Sequence, residues 1–109
     1  MPRLTAGFWV QAYLRRLSLA NIPAFIVHKG DETAGAVVVI SNPLDGSASA
    51  FHRVYSADGS RIWDVLATGS EEEIKNTINK QRNFDPDLWV IEVEDREGRT
   101  LLDEDGLFG

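Results

Sequence analysis

The chain has no cysteine, one methionine and four prolines, and none of its apolar runs approaches the length needed to cross a bilayer. The lack of cysteine excludes disulfides, thiolate metal sites and a cysteine nucleophile, and it suits a reducing compartment. A spanning helix needs about 20 apolar residues, and the N-terminus lacks the basic and then apolar pattern of a secretory signal. The sequence therefore predicts a cytoplasmic protein with no membrane segment. Basic charge is also scarce: 11 Lys and Arg stand against 17 Asp and Glu, a net charge of −6. The deficit is C-terminal, with five basic and three acidic residues over 1–55 but six basic and fourteen acidic over 56–109. Phosphate backbones are bound by Lys and Arg displacing counterions, so duplex nucleic acid is excluded as a partner. The simplest role for the acidic half is a solvated surface.

At 109 residues and 43% hydrophobic content the chain predicts one domain, 1–109, with a single core and a frayed end over residues 103–109. Thr5 can cap a helix from about Ala6 to Asn21, in which Val10, Tyr13, Leu14 and Leu17 recur at helical spacing and Ile22-Pro23 supplies the stop. Strand-like runs follow at Ala24 to His28, Ala36 to Ser41, Ser47 to Tyr55 and Arg61 to Ala67. Asp58-Gly59 predicts a tight hairpin, because both positions tolerate positive φ. The run Ala36 to Ile40 is apolar on both faces, so it belongs in the middle of a sheet. Ser47 to Tyr55 mixes His52 and Arg53 with Phe51 and Val54, as a strand near an edge or groove would.

Ser70 with Glu73 forms a capping box, and Glu71 to Glu73 suit a helix dipole, so a second helix runs to about Arg82. It carries a narrow stripe of Ile74 and Ile78. Leu88 to Glu94 is a fifth strand, with Trp89, Ile91 and Val93 on one face and Leu88 and Val90 on the other, and Thr100 to Leu102 can add a short pairing. The order is αββββαβ, an α+β fold: an antiparallel meander sheet of about five strands, an N-terminal helix and a crossover helix.

Leu4 to Leu17, Gly30 to Val37 and Phe84 to Asp95, taken in order, resemble a small single-domain alphaproteobacterial family catalogued as a domain of unknown function. The resemblance spans nearly the whole chain. It implies a cytoplasmic bacterial protein of this length and carries no catalytic residue or cofactor with it.

The residues themselves offer several candidates. Lys29, Asp31 and Glu32 lie in a glycine-bracketed loop between two apolar runs, where a scaffold holds charged groups still. The plainer reading is a hairpin loop whose glycines supply positive φ. Asp85 and Asp87 flank Pro86, a geometry for a metal or an acid–base pair, although a helix stop explains them as well. His28 and His52 can converge with Asp31 only if the fold brings them together. Arg15, Arg16 and Arg53 offer forks for an anion, or ion pairs with the C-terminal acids. Trp9, Trp63 and Trp89 supply core or docking surface.

Two functions follow. The first is an interaction module that docks a protein partner or a second copy through an aromatic sheet face or a strand edge. The alternative is a small-molecule-binding protein or enzyme with its site at the Lys29–Gly35 loop, built from Lys29, Asp31, Glu32, His52, Arg53, Asp85 and Asp87. Single-stranded RNA on the sheet is a weaker third, since stacking platforms need basic surroundings. No metal and no cofactor is assigned.

Overall fold

The computed structural model describes residues 4–103, arranged as α1 (Ala6–Leu19), β1 (Ala24–His28), β2 (Val37–Asn42), β3 (Ser47–Tyr55), β4 (Arg61–Ser70), α2 (Glu71–Phe84) and β5 (Trp89–Glu94). This is the αββββαβ order that the sequence predicts. The expected frayed end lies, beyond Asp103, outside the described residues. No helix among the described residues is long and apolar enough to cross a membrane.

The Thr5 hydroxyl accepts the Phe8 amide at 3.3 Å and so caps α1. The helix ends at Leu19, two residues short of the expected Asn21, with Ala20 as its C-cap. Asn21 adopts a left-handed φ of 60°, and the Asn21 and Ile22 amides bond back to the Ser18 and Leu17 carbonyls. That is a Schellman closure with asparagine in the place glycine usually takes. At α2 the capping box forms as predicted, with the Ser70 hydroxyl accepting from the Glu73 amide and the Glu73 carboxylate accepting from the Ser70 amide.

The sheet is mixed, with strand order β1-β5-β2-β3-β4, and this corrects the all-antiparallel meander. Strands β2, β3 and β4 do form a meander, but β5 inserts between β1 and β2, antiparallel to the first and parallel to the second. The physical reason lies in two features. Strands β2 and β5 are apolar on both faces and bury both, as parallel strands do. The connection 29–36 between β1 and β2 is longer than a hairpin turn and leaves room for a strand between them. Strand β3 is internal, and β4 takes the edge.

One helix covers each face. Against α1 lie Val39, Trp89, Ile91 and Val93, packed on Trp9, Val10, Tyr13 and Leu17. Against α2 lie Val38, Ile40, Ala48, Ala50, Leu88 and Val90, packed on Ile74 and Ile78. The Tyr13 hydroxyl, whose ionisation burial pushes up, donates to the Thr100 carbonyl at 2.7 Å. Residues Thr100 to Leu102 therefore form no strand. Thr100 and Leu101 are irregular and Leu102 begins a turn, with Leu101 and Leu102 against the α1 cluster.

The β3–β4 hairpin differs in detail from its prediction. Its loop spans 56–60, the Gly59 amide bonds to the Ser56 carbonyl, and only Gly59 has a positive φ, 85°. Asp58 instead accepts from the Ser56 hydroxyl, the Ser60 hydroxyl and the Ser60 amide, which holds its carboxyl down at about 2.

Candidate functional site

Sheet topology creates a fork. Pairing of β2 with β3 stops at Val38 and His52. Before that point β2 pairs only with β5, and the Ala36 carbonyl accepts the Trp89 amide at 2.8 Å. Beyond it, Arg53, Val54 and Tyr55 pair only with β4. A cleft of about 490 Å³ opens in this fork, within the size range of small-ligand sites. Thr33 to Val38 form one wall, and His52, Arg53 and Arg61 form the other. Leu4 to Ala6 and Trp9 close it on the α1 side, and Gln81, Asp85 and Leu88 on the α2 side.

Neighbouring residues on a strand point to opposite faces, so His52 and Arg53 serve different ends of the cleft. Arg53 projects to the α1 face, where its guanidinium carbon lies 4.9 Å from the ring centroids of both Trp9 and Trp63. The two indoles are 5.5 Å apart, and Trp9 stacks on Tyr13 at 4.9 Å. The guanidinium thus lies at cation–π distance from both indoles. Arg61 pairs with Tyr55 in the register where Arg53 pairs with Trp63, so the two arginines are diagonal neighbours on one face. Trp9 is only 3% exposed, and among the described residues its indole N–H has no hydrogen-bond partner.

The structure divides the sequence candidates. His52, Arg53 and Asp85 line the cleft, whereas Lys29, Asp31, Glu32 and Asp87 do not. Lys29, Asp31 and Glu32 build the loop that supports its wall, and Asp87, between α2 and β5, holds that loop through its carbonyl. The Asp31 carboxylate accepts the Thr33 and Ala34 amides at 3.2 and 2.8 Å, its amide donates to the Asp87 carbonyl, and its own carbonyl accepts the Trp89 indole N–H at 2.8 Å. Lys29 pairs with Glu32 at 3.1 Å, both exposed, and the Glu32 carbonyl accepts the Gly7 amide at the start of α1. The Asp85 carboxylate accepts the Asp87 amide at 3.1 Å.

Gly30 and Gly35 have no positive φ, contrary to expectation. They are glycines because of crowding: a Cβ on Gly35 would lie 2.5 Å from the Asp87 carbonyl oxygen, and one on Gly30 would lie 2.7 Å from the Trp89 amide nitrogen.

His28 and His52 do not converge with Asp31. They occupy one row across the sheet, His28–Val90–Val38–His52, which separates the histidines by three strand spacings, about 14 Å. His28 Nδ1 is 2.7 Å from the Leu88 carbonyl oxygen. Among the described residues no group of three His, Asp or Glu is placed to hold a metal. The sequence reading missed Arg61, Gln81 and Thr33 as cleft residues. A hairpin centred on Asp58 would have placed Arg53 opposite Trp63 and drawn Arg61 in.

A second surface stands at the far edge of the sheet. Strand β1 exposes Phe25, Ile26 and Val27 in succession, 46, 37 and 46%. The opposite edge, β4, intersperses its exposed Ile62 and Val65 with Arg61 and Asp64.

Residues 4–103 match the family described as Protein of unknown function (DUF1491). The chain belongs to the DUF1491 family. A crystal structure of a DUF1491 family protein from Caulobacter crescentus CB15 superposes with a TM-score of 0.85 at 36% identity, covering 93% of this chain and 96% of the other. The solution structure of protein Atu0922 from A. tumefaciens gives a TM-score of 0.77 at 32% identity, with 93% of each chain covered. No curated protein matches. The alphaproteobacterial resemblance read from the three segments is thus correct, and the DUF1491 fold is shared by relatives from two such bacteria.

Proposed function

We propose that this DUF1491 domain is a protein-interaction module of the cytoplasm that adds a partner's strand to the free edge of β1. The observation that carries this reading is the uncharged edge itself. Sheet edges are usually guarded by lysine, proline or inward charge, and Ala24 to His28 holds none of these between its ends. The Pro23 carbonyl accepts the Glu94 amide. Because backbone polarity alternates along an antiparallel pair, Phe25 also faces β5, and the N–H and C=O groups of Ala24 and Ile26 face outward. An extended segment laid there gains main-chain hydrogen bonds and covers Phe25 and Val27, the usual chemistry of strand addition.

The test is affinity capture with the wild type and a Val27→Lys variant side by side, together with sedimentation of the pure protein across concentrations. The expected result is a stoichiometric second chain, either another copy or a different protein, held by the wild type and lost from Val27→Lys. A wild type that stays monomeric and retains no protein overturns the reading, and so does a captured chain that survives the substitution.

A further inference from the structure

The fork cleft carries chemistry that strand addition at β1 does not use. Its polar groups are sorted by sign. Arg53 and Arg61 lie on the α1 side as diagonal cross-strand neighbours, about 7–8 Å apart at the backbone. Asp85 and Gln81 lie on the α2 side. Between them the walls are apolar or small: Leu4, Ala6, Ala34 to Val38 and Leu88. A molecule entering the cleft with a negative group is drawn to the α1 end and repelled from Asp85. The space between two diverging strands admits a flat body more readily than a branched one.

Two further features single out the α1 end. The Arg53 guanidinium lies over the adjoining Trp9 and Trp63 rings, and a guanidinium can give a carboxylate or phosphate two parallel N–H bonds. Beside it, the Trp9 indole N–H is closed off from solvent and has no acceptor among the described residues, so it lies next to the cleft as a reporter and not as a contact.

We propose that the fork cleft binds a small planar oxyanion, an aromatic carboxylate or aryl phosphate. Its anionic head sits at Arg53 and Arg61, and its ring lies against the Ala34 to Val38 wall. The head joins or displaces the partners that both arginines already have.

The experiment is a titration of the full chain followed by ¹⁵N–¹H correlation spectra, with four probes: benzoate, phenyl phosphate, the neutral isostere benzamide, and inorganic phosphate. The Trp9 indole resonance reports the site. The Trp89 indole, bonded to the Asp31 carbonyl, serves as an internal reference. Benzoate and phenyl phosphate are expected to shift Trp9 saturably with Kd on the order of 1 mM, as befits ligands of so few atoms. Benzamide and inorganic phosphate are expected to shift it at least about tenfold more weakly. Arg61→Gln, a change at an exposed strand end, and Arg53→Lys, which keeps the charge but loses the planar fork, should each weaken benzoate about tenfold.

Equal shifts from benzamide would show apolar filling without recognition of charge. Equal shifts from inorganic phosphate would mean an adventitious ion only. Either result overturns the proposal, as does an unmoved Trp9 or unchanged affinity in Arg61→Gln. If Arg53→Lys loses dispersed spectra, Arg61→Gln alone decides.

Discussion

Gly30→Ala isolates the crowding that holds the cleft wall in place. The new methyl carbon would lie 2.7 Å from both the Trp89 amide nitrogen and the nearest indole carbon of Trp89, and nearer still to the Asp87 carbonyl oxygen. Ordinary carbon contacts are about 3.5–4.0 Å, so the loop must retreat from β5 by roughly 1 Å. That retreat breaks or stretches the bond from the Asp31 amide to Asp87 and the bond from the Trp89 indole to Asp31, 2.9 and 2.8 Å long. Two hydrogen bonds at about 1 kcal/mol each, plus overpacking of about 1–3 kcal/mol, set the loss. The lower unfolded-state entropy of alanine returns about 0.4–1 kcal/mol, leaving a net destabilisation of about 2–4.5 kcal/mol. In a domain of this size that lowers Tm by roughly 10–30 °C.

Two other glycines serve as controls. Gly59→Ala has open space but a φ of 85°, so only the left-handed penalty of about 1 kcal/mol applies. Gly7→Ala meets chiefly the Glu32 carboxylate, the movable end of an exposed side chain, and should change stability by less than about 0.5 kcal/mol. Urea unfolding of the three variants gives the order directly. A Gly30→Ala variant no less stable than Gly59→Ala would refute the close-approach argument.

Asn42 is buried, and its amide group donates to Glu71 and Glu92 at 2.8 and 3.2 Å while its oxygen accepts the amide of Leu44, which holds a φ of 65°. Asn42→Ala removes all three bonds and should cost about 2–4 kcal/mol in urea unfolding. Asp58 gives a pH signature. Its carboxyl is lowered from 3.8 to about 2 by the Ser56 and Ser60 hydrogen bonds. The hairpin contribution is therefore fully present above the unfolded value and lost as pH falls through about 2. Carbon-detected titration should find its midpoint near 2, and Ser56→Ala with Ser60→Ala should move it back toward the ordinary value.

Local signals were legible in the chain and long-range ones were not. The bounds of β1 and β3, the Thr5 cap and the Ser70–Glu73 box follow from nearest neighbours in sequence, and the structure bears them out. The two faces of Leu88 to Val93 were equally readable, because alternation is a property of the strand alone. Strand order depends on which strands seek each other: the double apolar faces that suit a parallel pair are visible in β2 and β5, but nothing local names the partner. The glycine loop misled for a related reason. A glycine needed for φ and a glycine needed for space look alike until the Asp87 carbonyl, more than fifty positions away, is set against it. At the cleft, His52, Arg53 and Asp85 were visible as polar residues in structured surroundings. The Arg53 stack required knowledge that α1 lays Trp9 over the hairpin.

The late position of β5 has a consequence for how the protein is made. A ribosome delivers β1 and β2 early, yet the strand that must lie between them comes last of all the elements. Both apolar faces need it: Trp89, Ile91 and Val93 complete one, and Leu88 and Val90 the other. A nascent chain ending at α2 can hold its helices and the β2–β3–β4 meander only loosely, with β1 left without a neighbour. Such non-local closure is slow and exposes apolar edges while it waits. The domain therefore commits to its fold only when synthesis has passed Glu94. Chains interrupted before that point would lack the strand that joins β1 to the rest of the sheet and would leave both apolar faces incomplete.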